Sequence, residues 1–405
     1  MSKTMIILTN AYPHTEKGET FLTAELKVIS KIITNIYIVP REDVDDPAFK
    51  INLPENVQVY PLVTMSKLQK LMNLLCNPAF ILEIIKEILK DLKNWRYSIR
   101  YGMKAITAQN TLIKLVHEKH MSPSDLILYS YWFHFNALAV ALFPLRGSKK
   151  ISRAHGYDFY KNRSIQVYKK FTMSRIDKVY TASEEGTRYI RKEYGMDNVE
   201  TATLGVENTF APRKYEKNEQ LRIVSCSRLI SLKRVNLIID ALSQIDFSEI
   251  FWTHIGSGEE EERLKEYAEK KLRANKKIQY KFNGHLTNSE VFKCYKNDIF
   301  DVFISLSASE GGAPVSIQEA LSFGIPIIAT NVGGCSALVN ENTGVLLNEG
   351  QDEEALVCEV LRVIRKYLTY DEVYIEQLRE NCRNHWHQYF NAETVYGEFI
   401  REIMR

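Results

Sequence analysis

The 405 residues, 45% hydrophobic and 25% charged, have the composition of folded globular chains, which argues against disorder and leaves room for two or three domains. No apolar run reaches the ~18 residues that cross a bilayer, Met1 to Leu8 is too short for a secretory leader, and six cysteines without CxxC spacing argue against disulfides or zinc. The net charge of +3 divides unevenly, with 29 Lys+Arg against 20 Asp+Glu in residues 1–205, which favours an anionic partner, while the near-neutral total argues against nucleic acid.

In chain order, Met5–Leu8 reads as a first strand. The loop Thr9–Glu25 follows, where Gly18 either lets the chain approach phosphates or belongs to an ordinary surface turn, then a strand at Ile36–Val39. A helix-prone insertion, Ser66–His120, carries ten Lys+Arg against four acids, interleaved with Leu, Ile, Met, Trp95 and Tyr97. Such a segment either covers a sheet or lies on an anionic membrane surface. Strands are expected again at Leu126–Tyr129, Ile151–Ala154 and Lys178–Thr181, and the polar stretch Gly205–Asn218 reads as a domain boundary. Beyond it come strands at Leu221–Cys226, Ile250–Ile255, Ile278–Phe282, Val302–Leu306 and Ile325–Ala329, alternating with helical stretches near 236–244, 259–272, 289–296 and 315–323. Apolar strands alternating with helices predict parallel sheets covered on both faces, which bind ligands at the carboxyl ends of their strands.

Two segments carry chemistry. In DVFISLSASEGGAPVSIQEALSFG (301–324), a strand empties into a Ser/Gly loop, Pro314 suits the first helical position, and Glu310 and Glu319 can face the strand ends. Carboxylates beside the amides of Gly311 and Gly312 suit a polyhydroxylated ligand; alternatively both are solvated. In CSRLISLKRVNLIIDAL (226–242), Arg228 and Lys233 lie between a strand end and a helix, where two cations would neutralise a diphosphate or simply sit in solvent.

Five motifs in order, SRLxxxK, GSG (256–258), FNGHLTNSE, PVSIQEALSFGIPIIAT and NVGG, resemble the family 4 glycosyltransferases of GT-B fold, most densely over residues 221–350. The resemblance implies an α/β GT-B architecture: two Rossmann-like, doubly wound parallel-sheet domains facing across a cleft. The expected division is 1–205 on the acceptor side, with the helical insertion at 66–120, then 206–385 for the nucleotide sugar, and a helix at 386–405 crossing back. It implies that Arg228 and Lys233 grip a donor diphosphate, Glu319 holds the ribose, and Gly284, His285 and Leu286 meet the base. Glu310, Gly311 and Gly312 would touch the transferred sugar. The family pattern encloses seven residues between its two acids; here Glu310 and Glu319 enclose eight.

His155, ending the segment ISRAH, is similar in context to a family histidine near the donor sugar, and Asp158 and Tyr160 are expected on the acceptor side. The activity implied is transfer of a sugar with retention, from a nucleotide-diphosphate sugar such as a UDP-sugar to a saccharide acceptor, lipid-linked, in cell-surface polysaccharide assembly. No metal and no cofactor beyond this co-substrate are expected. The protein is expected in the cytoplasm, on the inner face of the membrane if the basic insertion docks there. The alternatives are a silent sugar-nucleotide binder, or an epimerase or phosphorylase on the same architecture.

Overall fold

Runs of Ile, Val, Leu and Phe bounded by turn residues become strands buried on both faces, as a sheet between two helical layers requires. The computed structural model describes residues 3–14, 19, 21–41, 52–211, 213–348, 350 and 352–405. One sheet holds β1 (Thr4–Thr9), β2 (Asn35–Pro40), β3 (Val57–Val59), β4 (Leu126–Ser130), β5 (Lys149–Ala154), β6 (Lys178–Thr181) and β7 (Val199–Thr201), ordered β3-β2-β1-β4-β5-β6-β7. A second holds β8 (Leu221–Cys226), β9 (Ile250–Ile255), β10 (Ile278–Phe282), β11 (Val302–Ser305), β12 (Ile327–Thr330) and β13 (Gly344–Leu347), ordered β10-β9-β8-β11-β12-β13. Every pairing is parallel, so both are doubly wound Rossmann-like sheets. The winding reverses between β1 and β4 and between β8 and β11, and ligand sites in such sheets lie at these reversals.

All ten expected strands are present. The three that the pattern does not announce, β3, β7 and β13, are sheet edges. An edge strand pairs on one side only and needs less apolar surface; in β3 only Val57 is buried.

The chain divides into Met1–Thr203 with Tyr396–Arg405, and Leu204–Val395. In the first unit one face of the sheet packs on the helix Trp95–Glu118. The other is covered by the helix Leu22–Ile29 and by Phe399, Ile400 and Ile403 of the final helix. That helix begins at Ala392 rather than 386, because Trp386 is buried in the preceding helix, Glu372–Tyr389, and Asn391 Oδ1 accepts from the Glu393 amide to start a new one. Beneath it lies a buried ion pair, Arg153 Nε to Glu25 Oε2 at 3.0 Å, with the guanidinium 4.3 Å from the Phe399 ring centre.

The insertion forms helices Lys67–Leu75 and Pro78–Lys90 ahead of the long helix from Trp95. Ser66 and Gln69 make a reciprocal capping box for the first of these, and Asn77 caps the second ahead of Pro78.

Candidate functional site

In the second unit the strand-end loops meet at the reversal. After β8, Arg228 is exposed, a short turn spans Ser231–Lys233, and Arg234 adopts φ +47°. The Arg234 guanidinium donates to the Leu306 and Ser307 carbonyls at 2.6 and 3.1 Å, and the Ala308 amide donates to Leu232 O at 2.8 Å. The loop after β8 is thereby tied to the loop after its neighbour β11. Lys233 Nζ then reaches Glu310 Oε1 at 2.6 Å, so two residues singled out for different parts of a ligand form one ion pair, both mostly shielded from solvent.

Glycine sets how closely these loops approach. A Cβ on Gly256 would lie 1.9 Å from the Ser227 carbonyl oxygen, and one on Gly258 2.3 Å from that of Leu229. The Leu229 amide donates to Ser257 O, and the Gly256 amide to Gly284 O, at 3.0 and 2.8 Å. Gly311 and Gly312 are backed in the same way: the Gly334 amide donates to Gly312 O at 3.0 Å, and a Cβ there would meet the Ala313 nitrogen at 2.4 Å. The eight residues between Glu310 and Glu319 are accommodated by this braced bend. Gly284 borders open space, His285 is exposed, and Leu286 packs partly on the core.

Glu319 lies in the helix Val315–Ser322; Pro314, expected as its first residue, precedes it with ψ 125°. The Glu319 side chain is 7% exposed and accepts from the Asn288 amide. Burial lifts its pKa to about 8, with the Asn288 hydrogen bond opposing. At neutral pH it is mostly a protonated acid, where the sequence suggested a carboxylate.

In the first unit, side chains do the joining. The His155 amide donates to Asp158 Oδ1 at 2.8 Å, as does Gly156 at 3.0 Å, and the Phe133 amide donates to Oδ2 at 2.8 Å. Asp158 thus ties the loop after β5 to the loop after β4. The His155 ring stands against Trp132, Tyr131 and Phe21, with Nε2 2.9 Å from the Tyr131 carbonyl oxygen. A carbonyl only accepts, so Nε2 carries the proton and Nδ1 keeps a lone pair. Burial lowers the pKa of His155 to about 4, Asp158 acting in the opposite sense, so the ring is neutral at physiological pH. Tyr160, expected on the acceptor side, is 8% exposed and packed on Phe159 and Tyr189, with its hydroxyl 3.4 Å from Glu185.

Gly18 lies outside the described residues. Its neighbour Glu19 was missed: its carboxylate accepts from the Asn10, Ala11 and Tyr12 amides at 2.9, 2.7 and 2.8 Å, and from the Trp132 indole. Arg234 was missed as well, since an arginine following Lys233 reads as one more solvated cation. Among the described residues no cluster of three or more His, Cys, Asp or Glu could hold a metal ion.

Residues 207–384 match the family described as glycosyl transferases group 1. The chain is 26% identical over 224 residues to an uncharacterized glycosyltransferase of Haemophilus influenzae, covering 54% of this chain and 61% of that protein. It is 27% identical over 188 residues to the O-antigen biosynthesis glycosyltransferase WbnH of Escherichia coli, covering 46% and 51%. The chain therefore spans only about half to three-fifths of these relatives' lengths. In fold it is similar to S. aureus TarM, solved in complex with fondaparinux, alpha-GlcNAc-glycerol and UDP, with a TM-score of 0.70, 13% identity and 99% of each chain covered.

Proposed function

We propose that the protein is a GT-B glycosyltransferase that moves a sugar, with retention, from a UDP-sugar to a saccharide acceptor in bacterial surface-polysaccharide assembly. The observation that carries this reading is the pairing of Lys233 with Glu310 across the loops after β8 and β11, at the reversal, with Arg228 on the first of these loops and Glu319 on the helix that follows the second, inside the segment that matches the glycosyltransferase family. Arg228 and Lys233 take up the charge that grows on a departing diphosphate, and amide dipoles of the Gly311–Gly312 loop assist. Glu319, as a protonated acid beside Asn288, can both donate to and accept from ribose hydroxyls. Glu310 holds Lys233 in place and offers its second oxygen to a sugar hydroxyl. The neutral His155 accepts a hydrogen bond from a sugar hydroxyl through Nδ1. The diphosphate charge is assigned to side chains rather than to a metal, so chelator should leave turnover unchanged.

The choice of UDP is supported by the UDP complex of TarM, and the saccharide acceptor by the O-antigen role named for WbnH. The acceptor is assigned as lipid-linked because the insertion presents apolar residues to solvent at helical spacing. Leu68, Leu71, Met72 and Leu75 lie along one stripe and Leu82, Ile85 and Leu89 along another, flanked by Lys67, Lys70, Lys86 and Lys90. No helix among the described residues is long and apolar enough to cross a membrane, and the proposed location is peripheral, on an anionic bilayer surface.

The test is incubation of purified protein with a panel of UDP- and GDP-sugars without acceptor. Slow hydrolysis of one donor, with the released sugar's anomeric configuration read by NMR, is expected. No binding of any nucleotide would remove the reading, and binding without turnover would favour a silent binder. Flotation with anionic and neutral liposomes tests the membrane part.

A further inference from the structure

A cavity of about 260 Å³ in the first unit lies beside the loops after β4 and β5. It lies against the knot formed by Asp158, on the side lined by Tyr97, Arg100 and Lys104 from the long helix and by His134 and Lys169. Its electrostatics are one-sided. Among the described residues Arg100 and Lys104 form no ion pair, and Lys169, 6% exposed, donates to the Phe133 carbonyl oxygen. The one carboxylate in the wall, Asp158, is taken up by three backbone amides. Burying an ammonium without a counter-ion is costly, and here burial lowers the Lys169 pKa to about 7 although Asp158 opposes the shift.

The second observation is an unsatisfied donor. The Asn136 amide donates to His134 Nδ1 at 3.3 Å, so in the neutral ring Nε2 bears the proton. Burial and the neighbouring cations Lys169, Arg41 and Lys104 hold the His134 pKa well below its usual value, which keeps the ring neutral. That Nε2–H is buried and finds no acceptor among the described residues. Buried N–H groups are nearly always paired, so one left open in a cavity wall of cations marks a place for an anionic acceptor oxygen.

We propose that this cavity is a subsite for a phosphate group, with His134 Nε2 and Lys169 donating to its oxygens and Arg100 and Lys104 neutralising its charge at the mouth. The inference rests on the acceptor reading above and deepens it: the acceptor is recognised by its phosphorylated end. Tyr97 and Tyr101 form the apolar side of the wall, and the exposed apolar helices lead directly into the helix that carries both cations. A phosphate attached to an alkyl chain fits this neighbourhood; a free phosphate shares the same polar contacts.

Calorimetric titration of the full chain tests this, with UDP present to occupy the other phosphate-binding loops. Decyl phosphate, below its micelle concentration, is one ligand and inorganic pyrophosphate the other. We expect one decyl phosphate per chain, weakened about tenfold or more by Lys104→Ala and weakened by added salt. Lys169→Met, checked for folding by thermal melting, should weaken it at least as much. Binding of decyl phosphate alone identifies the lipid-linked source, and equal binding of pyrophosphate the free one. Absence of both, or affinities unchanged in Lys104→Ala and Arg100→Ala, overturns the proposal. UDP binding by the wild-type protein is measured separately: a chain that binds UDP but neither phosphate compound sinks this inference alone, and one that binds nothing sinks the donor reading as well.

Discussion

The two sheets end in loops built by different means. In the second unit backbone packs on backbone, with Gly256 and Gly258 against residues 227–229 and Gly333 and Gly334 against residues 310–313. In the first unit two carboxylates gather amides, Glu19 those of residues 10–12 and Asp158 those of 133, 155 and 156. Close approach of two backbones admits only glycine, so the first device writes itself into the sequence. The second uses residue types that surfaces also use, and it is silent until the fold is known.

The comparison can be broken most forcefully at Gly256. Gly256→Ala places a methyl 1.9 Å from a carbonyl oxygen at φ +136°, and should cost more than about 4 kcal/mol, read as loss of the folded fraction in denaturant titration. Asp158→Ala leaves three amides to find new partners and should cost about 3 kcal/mol, with Asp158→Asn, which keeps one acceptor oxygen, recovering part of it. A cost below 1 kcal/mol for Asp158→Ala would show that water replaces the carboxylate easily and that the first unit's loops are less dependent on it than described. Lys233→Ala, which removes a cation without disturbing any glycine contact, should lower donor turnover about 10²-fold, roughly 2.7 kcal/mol, with the melting temperature nearly unchanged. Wild-type kinetics would remove the donor-site assignment.

The most gradual effect concerns pH, spread over several units rather than lost in one step. Glu319 has a folded pKa of about 8 against an ordinary 4.5, so its contribution to stability is complete below 4.5 and is lost as pH rises through about 8. The ligand-free protein should lose up to about 1.4 kcal/mol per pH unit within that window, a decline that Glu319→Gln removes. A melting temperature with the same pH dependence in both proteins would mean that Glu319 is already ionised when folded.

The legibility of the molecule follows the same division. Interior strands announced themselves because both faces are buried, and three of the four edges, β3, β7 and β13, did not because one side is free; the fourth edge, β10, did announce itself. In the site, Lys233, Glu310 and Glu319 could be named from motif order, yet their pairing and protonation depend on burial that no spacing encodes. Glu19, Arg234 and His134 were invisible for a related reason: each matters through backbone groups or an unfilled hydrogen bond that three-dimensional packing creates. The packing of Tyr160 between the rings of Phe159 and Tyr189 was equally unreadable, because a tyrosine two residues after Asp158 can face either way.

The helix that ends the described chain has a consequence for synthesis. Phe399, Ile400 and Ile403 close a hydrophobic layer whose other members lie before residue 181. A ribosome therefore finishes some two hundred further codons before the plug for that layer emerges, and until then the apolar flank of β1, β4 and β5, with the Arg153 and Glu25 charges beneath it, stands without its cover. Nascent chains stalled anywhere between the two points should be a substrate for holdase chaperones.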